Sequence, residues 1–307
     1  MAITRNLLLA AAKNRWLRQR AARYQFVRRS VSRFMPGESL EDALRAAQSL
    51  QSRQIGTVLT HLGENVKDAG EAETVTKHYV EVLQRIRELN LDCEISVKLS
   101  QLGLDLSKDL CHRNLRTIIE REQPNRVVWI DMESSEYVSS TLEIYRRVLE
   151  SFPDTGICLQ AYLYRTAADL RSLLTVKPSV RLVKGAYNEH PEIAYPKKQD
   201  VDNNYFELAT QLLNAQRSNF CRRLAFATHD LPMIERIRDL ARDSGMPKSQ
   251  LEIQMLYGIQ TSAQERLARE GCRSMVLVAY GDYWYPWFMR RLAERPANLW
   301  FLLKNIF

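Results

Sequence analysis

The chain has 307 residues, of which 45% are hydrophobic and 26% are charged, as in ordinary globular domains. This composition excludes a disordered, collagen-like or coiled-coil chain, and no apolar run approaches the roughly 20 residues that span a bilayer. The five cysteines and five histidines are scattered without metal-ligand spacing, so we expect a reducing environment and predict no metal site.

The net charge of +8 comes from one end of the chain. Residues 1–33 hold nine basic and no acidic residues, which leaves the rest with 35 basic and 36 acidic side chains, a net of −1. A nucleic-acid-binding protein would spread positive charge over a domain face, so no nucleic-acid partner is expected. We interpret residues 1–36 as a basic amphipathic helical arm, which packs on the following domain or contacts anionic lipid. The expected location is the cytoplasm, and a peripheral contact of residues 1–33 with the inner face of the membrane stays open.

Residues 37–307 alternate short apolar runs with longer amphipathic segments. The eight predicted strands are 55–60, 94–99, 126–132, 156–161, 180–184, 224–228, 251–256 and 275–280. Helical segments are predicted at 71–89, 141–149, 167–173, 203–216, 232–244 and 263–269. Strands that alternate with helices predict a parallel sheet, and eight such units predict an α/β domain of the closed (βα)₈ barrel type. No glycine-rich phosphate loop follows any strand, which disfavours a Rossmann or P-loop fold.

A polar or titratable side chain stands at or near the end of every predicted strand. These residues are His61, Lys98, Asp131, Gln160, Lys184, His229, Gln254 and Tyr280. The C-terminal ends of the strands build the active site of this fold, so the eight side chains are expected to converge on one mouth. Buried polar groups without partners are costly, and we therefore expect an enzyme or a ligand-binding barrel. His61 is interpreted as structural rather than catalytic.

The predicted mouth carries more positive than negative charge, with Asp131 as its one clear anion. The cations are Lys98, Arg181 and Lys184, followed by Arg290 and Arg291 in a short helix. Such a mouth suits an anionic substrate, a phosphate-bearing cofactor, or both. Lysines at strand ends also permit Schiff-base chemistry, and the residue pattern leaves these alternatives open.

Seven strings, most of them at strand ends, resemble one enzyme family. They are ISVKLSQLG (95–103), IDMES (130–134), QAYLYRTAADL (160–170), RLVKGAY (181–187), FATHD (226–230), QMLYGI (254–259) and WYPWFMRRLAERPAN (284–298). With these strings in order, the chain resembles bacterial single-function members of the proline dehydrogenase family, from about residue 24 to the C-terminus. The resemblance implies a distorted (βα)₈ barrel that binds FAD and oxidises L-proline to Δ1-pyrroline-5-carboxylate, with hydride transfer to flavin N5. It also implies a membrane quinone as electron acceptor and a pyrroline-5-carboxylate dehydrogenase on a separate chain.

The resemblance further implies roles for individual residues. Asp131 and Arg181 are the implied catalytic pair, with Arg181 close to the flavin N5 edge. The implied substrate-binding residues are Lys98, Arg290 and Arg291, which clamp the carboxylate, together with Leu256 and Leu277. The implied cofactor-binding residues are Met132, Gln160, Lys184, Gly185, Ala186, Thr228, His229, Gln254 and Glu294.

The chain departs from the family pattern at three positions. Leu277 replaces a tyrosine that usually covers the substrate ring, Trp287 stands where another tyrosine is frequent, and Asp230 stands where Asn is common. The loss of two hydroxyl groups makes that wall of the pocket more apolar, which affects substrate choice more than catalysis. The alternatives are therefore another cyclic amino acid such as hydroxyproline, a low-turnover flavin-binding sensor and, more remotely, a Schiff-base lyase.

Overall fold

The computed structural model describes the backbone of residues 31–294 and the side chains up to residue 289. In this range strands and helices alternate along the chain. The strands are β1 (Gly56–His61), β2 (Cys93–Val97), β3 (Val128–Ile130), β4 (Thr155–Gln160), β5 (Ser179–Val183), β6 (Arg223–Ala227), β7 (Glu252–Leu256) and β8 (Arg273–Tyr280). The helices are α1 (Leu40–Gln51), α2 (Ala69–Glu88), α3 (Lys108–Ile119), α4 (Val138–Leu149), α5 (Thr166–Leu173), α6 (Lys198–Arg217), α7 (Leu231–Asp243), α8 (Thr261–Arg269) and α9 (Trp284–Glu294). Short 3₁₀ turns occupy Leu99–Leu102, Ser135–Tyr137, Leu174–Val176 and Lys248–Gln250.

The eight strands form a closed parallel barrel in sequence order. The sheet closes where β8 pairs with β1 over six residues, from Gly56 opposite Met275 to His61 opposite Tyr280. All eight strand–strand pairs are parallel, so every strand presents its C-terminal end at the same mouth. The predicted (βα)₈ barrel is confirmed.

Several helices begin at side chains that satisfy their first free N–H groups. Ser39 and Asp42 form a reciprocal capping box at α1, and Asp68 and Ser107 cap α2 and α3. Asp230 accepts from the Met233 N–H and caps α7, next to a proline in its first turn. These caps fix where each helix starts after its loop, and with it the position of the loop at the mouth.

Strand β3 is shorter than predicted, with three residues instead of the seven in 126–132. At its start, the Val127 N–H donates to the Glu94 side chain at 3.4 Å rather than to a neighbouring strand. Asp131, which follows the strand, still donates its backbone N–H to Val97 O at 2.9 Å. The carboxylate of Glu94 therefore replaces a ladder partner inside the barrel.

The largest apolar cluster fills the layer between the barrel and the helices. A second cluster joins Val31, Phe34 and Met35 to buried side chains of α9. The carbonyl oxygen of Arg33 lies where a Cβ atom at Gly258 would be 1.6 Å away, so only glycine, at φ +72°, fits there. Residues 31–35 thus pack against the barrel and α9.

The remainder of the predicted arm, residues 1–30, lies outside the described residues, so its helix and its lipid contact stay predictions. Between residues 31 and 294, no helix combines the length and the apolar character needed to cross a membrane.

Candidate active site

The inner face of the barrel is lined with polar side chains at alternate strand positions. On β2 and just beyond it, Glu94, Ser96 and Lys98 follow one another at intervals of two residues, which places them on one face. The same spacing puts Trp129 and Asp131 on the inner face of β3 and its extension. Contacts between these side chains and those of β5, β6 and β8 cross the barrel interior.

Asp131 and Arg181 form an ion pair at the mouth, in which Arg181 is buried and Asp131 is half-buried. Arg181 Nη2 donates to Asp131 Oδ1 and, at 2.8 Å, to Ser96 Oγ. The Ser96 hydroxyl in turn donates to Asp131 Oδ1 at 2.7 Å. Lys98 Nζ lies 3.6 Å from the other carboxylate oxygen. One carboxylate thus lies between two cations, and the group carries a net charge of +1.

Arg181 is 2% exposed, although it carries a full charge. Burial alone would lower the pKa of Arg181, but Asp131, Cys158 and Glu252 outweigh burial and raise that pKa above its ordinary value. The guanidinium therefore stays protonated throughout the physiological range. It is a fixed positive charge, and an anion that enters the mouth meets it already in place.

Gln160 presents an unsatisfied acceptor beside this group. Its Nε2 donates to Met132 O at 3.2 Å and to Glu133 O at 3.1 Å. Its Oε1 is buried and has no hydrogen-bond partner among the described residues. An unpaired buried carbonyl oxygen favours a ligand that brings an N–H group.

His229 is oriented by a backbone hydrogen bond. The Leu256 N–H donates to His229 Nε2 at 2.8 Å. An accepting nitrogen carries no hydrogen, so the proton of the neutral ring lies on Nδ1. In this tautomer Nδ1 is the donor nitrogen of the His229 ring. Thr228, directly before it, is buried and accepts from the Asp230 N–H at 3.2 Å.

Lys184 is held on the outer rim by two carboxylates. Its Nζ donates to Asp202 of α6 and, at 2.7 Å, to Asp230 at the start of α7. Gly185 follows at φ +116°, and a Cβ there would lie 2.2 Å from the Tyr162 ring. The glycine is thus required by its backbone conformation and by Tyr162. Ala186 continues the same loop and is half-buried.

Comparison with known proteins decides the family. The sequence profile of the proline dehydrogenase family matches residues 43–304. Proline dehydrogenase 1 of Bacillus subtilis (strain 168) is 39% identical over 304 residues, which cover 98% of each chain. The chain belongs to the proline dehydrogenase family. It is an oxidoreductase of that family.

Two further relatives agree with the family assignment. Proline dehydrogenase of Deinococcus radiodurans is 36% identical over 282 residues, covering 90% of this chain and 89% of its own. The crystal structure of proline utilization A (PutA) from Bdellovibrio bacteriovorus, inactivated by N-propargylglycine, superposes with a TM-score of 0.79 at 26% identity. That match covers 87% of this chain and 33% of the PutA chain, so the chain spans about a third of that protein.

The remaining predicted residues of this family member fall into three groups. Leu256 and Leu277 pair in register at the β7–β8 seam and form an apolar side of the mouth. Gln254 points inward and accepts from Arg181 Nη1 at 3.4 Å. The side chains of Arg290, Arg291 and Glu294 lie outside the described residues, so their predicted roles are untested.

The predicted convergence of all eight strand-end groups is wrong for His61 and Tyr280. The two residues pair in register and face outward, against α2. Their rings lie 4.6 Å and 5.7 Å from the His78 ring, and His78 Nε2 is 2.8 Å from the Tyr280 hydroxyl. Burial and neighbouring His78 lower the pKa of His61 to about 4. The side-chain alternation of each strand explains the error, because the last residue of a strand points outward as often as inward.

Sequence reasoning missed the charged layer beneath the mouth. The members of this layer are Glu94, Arg223, Glu252 and Arg273. Each lies two, or a multiple of two, residues before an inward-facing residue, as Glu94 lies before Ser96 and Glu252 before Gln254. The spacing of two along each strand was the signal that could have found them.

Proposed function

We propose that this chain is an FAD-dependent dehydrogenase that oxidises L-proline to Δ1-pyrroline-5-carboxylate and passes the electrons to a membrane quinone. The observation that carries the proposal is the group of Lys98, Asp131 and Arg181 at the C-terminal mouth of the barrel, in which Arg181 is buried and the other two are half-buried. A net charge of +1 in a shielded site favours a ligand with one carboxylate. Family membership supports proline as that ligand.

On the substrate side, Lys98 is the described cation that would bind the carboxylate, and Arg290 and Arg291 are the proposed partners. Asp131 lies between Lys98 and Arg181 and forms an ion pair with each of them. Leu256 and Leu277 would pack against the pyrrolidine ring. A carboxylate bound in this way fixes the ring, and such orientation contributes strongly to catalysis.

The described residues fit a flavin. Gln160 Oε1 would accept an N–H of the ring system, and His229 Nδ1 and Thr228 would add polar contacts. Arg181 places a fixed positive charge where it would favour the electron-rich reduced cofactor. When bound, FAD supplies the acceptor for the hydride. Met132, Lys184, Gly185, Ala186, Gln254 and Glu294 complete the proposed set of cofactor contacts.

The overall reaction removes two electrons and two hydrogens from the substrate, one as hydride and one as a proton from nitrogen. A neutral amine releases the hydride from its neighbouring carbon more readily than an ammonium does. The cationic mouth favours the neutral amine of the substrate, because Lys98 and Arg181 repel the positive charge of an ammonium group. A pyrroline-5-carboxylate dehydrogenase on another chain would consume the product.

Of the alternatives, another cyclic amino acid such as hydroxyproline gains no support from the described wall of the mouth. Leu277 lines that wall and offers no hydrogen bond to an added hydroxyl group. Schiff-base chemistry also lacks support, since Lys184 is paired with two carboxylates and Lys98 with one. In these ion pairs the nitrogen of each lysine is engaged by carboxylates and is not directed at a substrate carbonyl group.

Product analysis tests the proposal. Purified protein would be incubated with FAD, a soluble quinone and, in turn, L-proline, D-proline or trans-4-hydroxy-L-proline. We expect a product two hydrogen atoms lighter than L-proline by mass spectrometry, with little from D-proline. Faster turnover of hydroxyproline would replace the proposed substrate by the alternative. Turnover of none of the three would contradict the proposed function.

A further inference from the structure

The indole ring of Trp129 contacts two buried arginines inside the barrel. The Cζ atoms of Arg181 and Arg223 each lie 5.3 Å from the centroid of the indole ring. Trp129 itself is completely buried, and its Nε1–H donates to Glu94 Oε2 at 2.9 Å. An aromatic face attracts a guanidinium through its quadrupole, and more strongly when water is excluded. Glu94 thus binds the edge of the indole, and the two guanidinium groups lie over the ring.

Arg223 belongs to a lower layer of the barrel than Arg181. Ala225 pairs in register with Arg181, and Arg223 lies two residues nearer the start of β6. There Arg223 donates to Glu94 and, at 2.8 Å, to Glu252, while Arg273 lies 3.5 Å from each carboxylate. Two carboxylates and two guanidinium groups cancel in charge. The layer therefore adds no net charge below the mouth.

Two connections run from this neutral layer up to Arg181. One passes from Glu94 through the indole of Trp129 to the guanidinium. The other passes from Glu252 to Gln254 Nε2 at 2.7 Å, and from Gln254 Oε1 to Arg181 Nη1 at 3.4 Å. The second connection is long for a hydrogen bond, so the indole is the firmer support.

We propose that Trp129 is a positioning residue for Arg181, which it holds against Asp131 by stacking on the guanidinium from the barrel interior. Trp129 is buried away from the mouth and acts only through Arg181. The inference rests on the proposed function where turnover is the readout. It predicts that loss of the ring moves Arg181 away from Asp131 while the binding of substrate carboxylate at Lys98 persists.

Three variants separate this role from ordinary packing. Trp129→Leu removes the aromatic face, and Trp129→Phe keeps a face but loses the N–H donor. Tyr145→Leu removes a buried ring of α4, whose hydroxyl bonds carbonyls at the starts of β4 and β5, far from the mouth. We expect Trp129→Leu to lower kcat at least tenfold with KM for L-proline within threefold. Trp129→Phe and Tyr145→Leu are expected to keep kcat per bound flavin within threefold.

The crystal structure of Trp129→Leu provides a readout that does not depend on turnover. We expect Arg181 to lie beyond hydrogen-bond distance of Asp131. An intact Arg181–Asp131 pair together with kcat within threefold would overturn the inference. If the wild-type protein does not oxidise proline, the proposed function fails and this structure alone decides the role of Trp129.

A second route applies if Trp129→Leu does not fold. Arg223→Lys keeps the buried charge balance but removes the planar group beneath the indole. We expect kcat to fall at least threefold without a matching change in KM. An unchanged kcat in this variant would overturn the role of the stack.

Discussion

Lys98 lies at the mouth, and its ammonium nitrogen is 3.6 Å from one carboxylate oxygen of Asp131. A hydrogen bond to a charged group contributes about 1.5–3 kcal/mol. We therefore expect Lys98→Met to raise KM for L-proline by about 10- to 100-fold, as measured by steady-state kinetics. Lys108→Met is the matched control, because Lys108 is an exposed lysine of α3 paired with Glu143. Equal KM values for both variants would show that the carboxylate binds elsewhere.

Glu122 is a half-buried carboxyl group, far from the mouth, in a cavity of about 270 Å³ lined by Ile119, Arg126 and Phe152. Burial raises the pKa of this carboxyl group from 4.5 to about 7. Between these two values the folded state binds more protons than the unfolded state. Stability from this group is therefore greatest below pH 4.5 and falls as the pH rises to 7.

This difference in pKa between the folded and the unfolded state predicts that Glu122→Gln raises the free energy of unfolding by an amount that depends on pH. At pH 8 the variant avoids a buried charge and should exceed the wild type in free energy of unfolding by about 1–3 kcal/mol. At pH 4 the two should be nearly equal, because the folded and the unfolded wild type then both carry the proton. Urea unfolding at both pH values measures this, and the titration of His61 cancels since both chains contain it. A gain that is independent of pH would contradict the shifted pKa.

Among single residues, the sequence indicated the group of Lys98, Asp131 and Arg181 because these polar residues interrupt apolar strands or stand directly after them. It could not indicate which way the last side chain of a strand points. His61 and Tyr280 were therefore placed at the mouth, whereas both pack against α2. The layer of Glu94 and Glu252 lies deeper in the barrel than the strand ends, so the residues at the strand ends do not indicate it.

At the scale of elements, Asp230 has two functions at the start of α7. One oxygen accepts from the Met233 N–H, and the other binds Lys184 at 2.7 Å. Loss of an N-cap costs about 1 kcal/mol, and asparagine caps as well as aspartate. We expect Asp230→Ala to lose about 1–2 kcal/mol of stability in urea unfolding. Asp230→Asn should lose clearly less, and equal losses would show that the ion pair rather than the cap matters.

The strands were predictable because short runs rich in β-branched and apolar residues recur with helical segments between them. The first and last residues of the strands were harder to predict than the strands themselves. The largest difference is in β3, which has three residues where seven were expected. The reason is tertiary: the carboxylate of Glu94, from another strand, takes the Val127 N–H. Helix starts extend a few residues upstream of the predicted ones, as in α6, which begins at Lys198 rather than at 203. The first turn of such a helix contains mostly polar residues. The helical spacing of apolar residues therefore begins a few residues after the helix itself.

For the whole molecule, the charge distribution separates a basic end from a neutral barrel. Residues 1–30 contain eight basic and no acidic residues. Val31 and Phe34 pack with α9, so a truncation after residue 30 leaves the described packing intact. We expect the full chain to cosediment with vesicles containing anionic lipid and the truncated chain to stay in solution. Binding should weaken as salt rises.

Vesicles of neutral lipid provide the control for this prediction. Equal binding of the two chains to anionic vesicles would contradict a lipid contact through the arm. It would favour the alternative interpretation, in which the arm packs on the barrel.

The proposed function requires that this barrel binds a flavin and that L-proline reduces it. The visible spectrum of the purified protein without oxygen, before and after addition of L-proline, measures both. We expect an oxidised flavin band at about 450 nm that bleaches with L-proline. A flavin band that L-proline leaves unchanged would contradict the substrate, and a colourless protein that takes up no added FAD would contradict the cofactor.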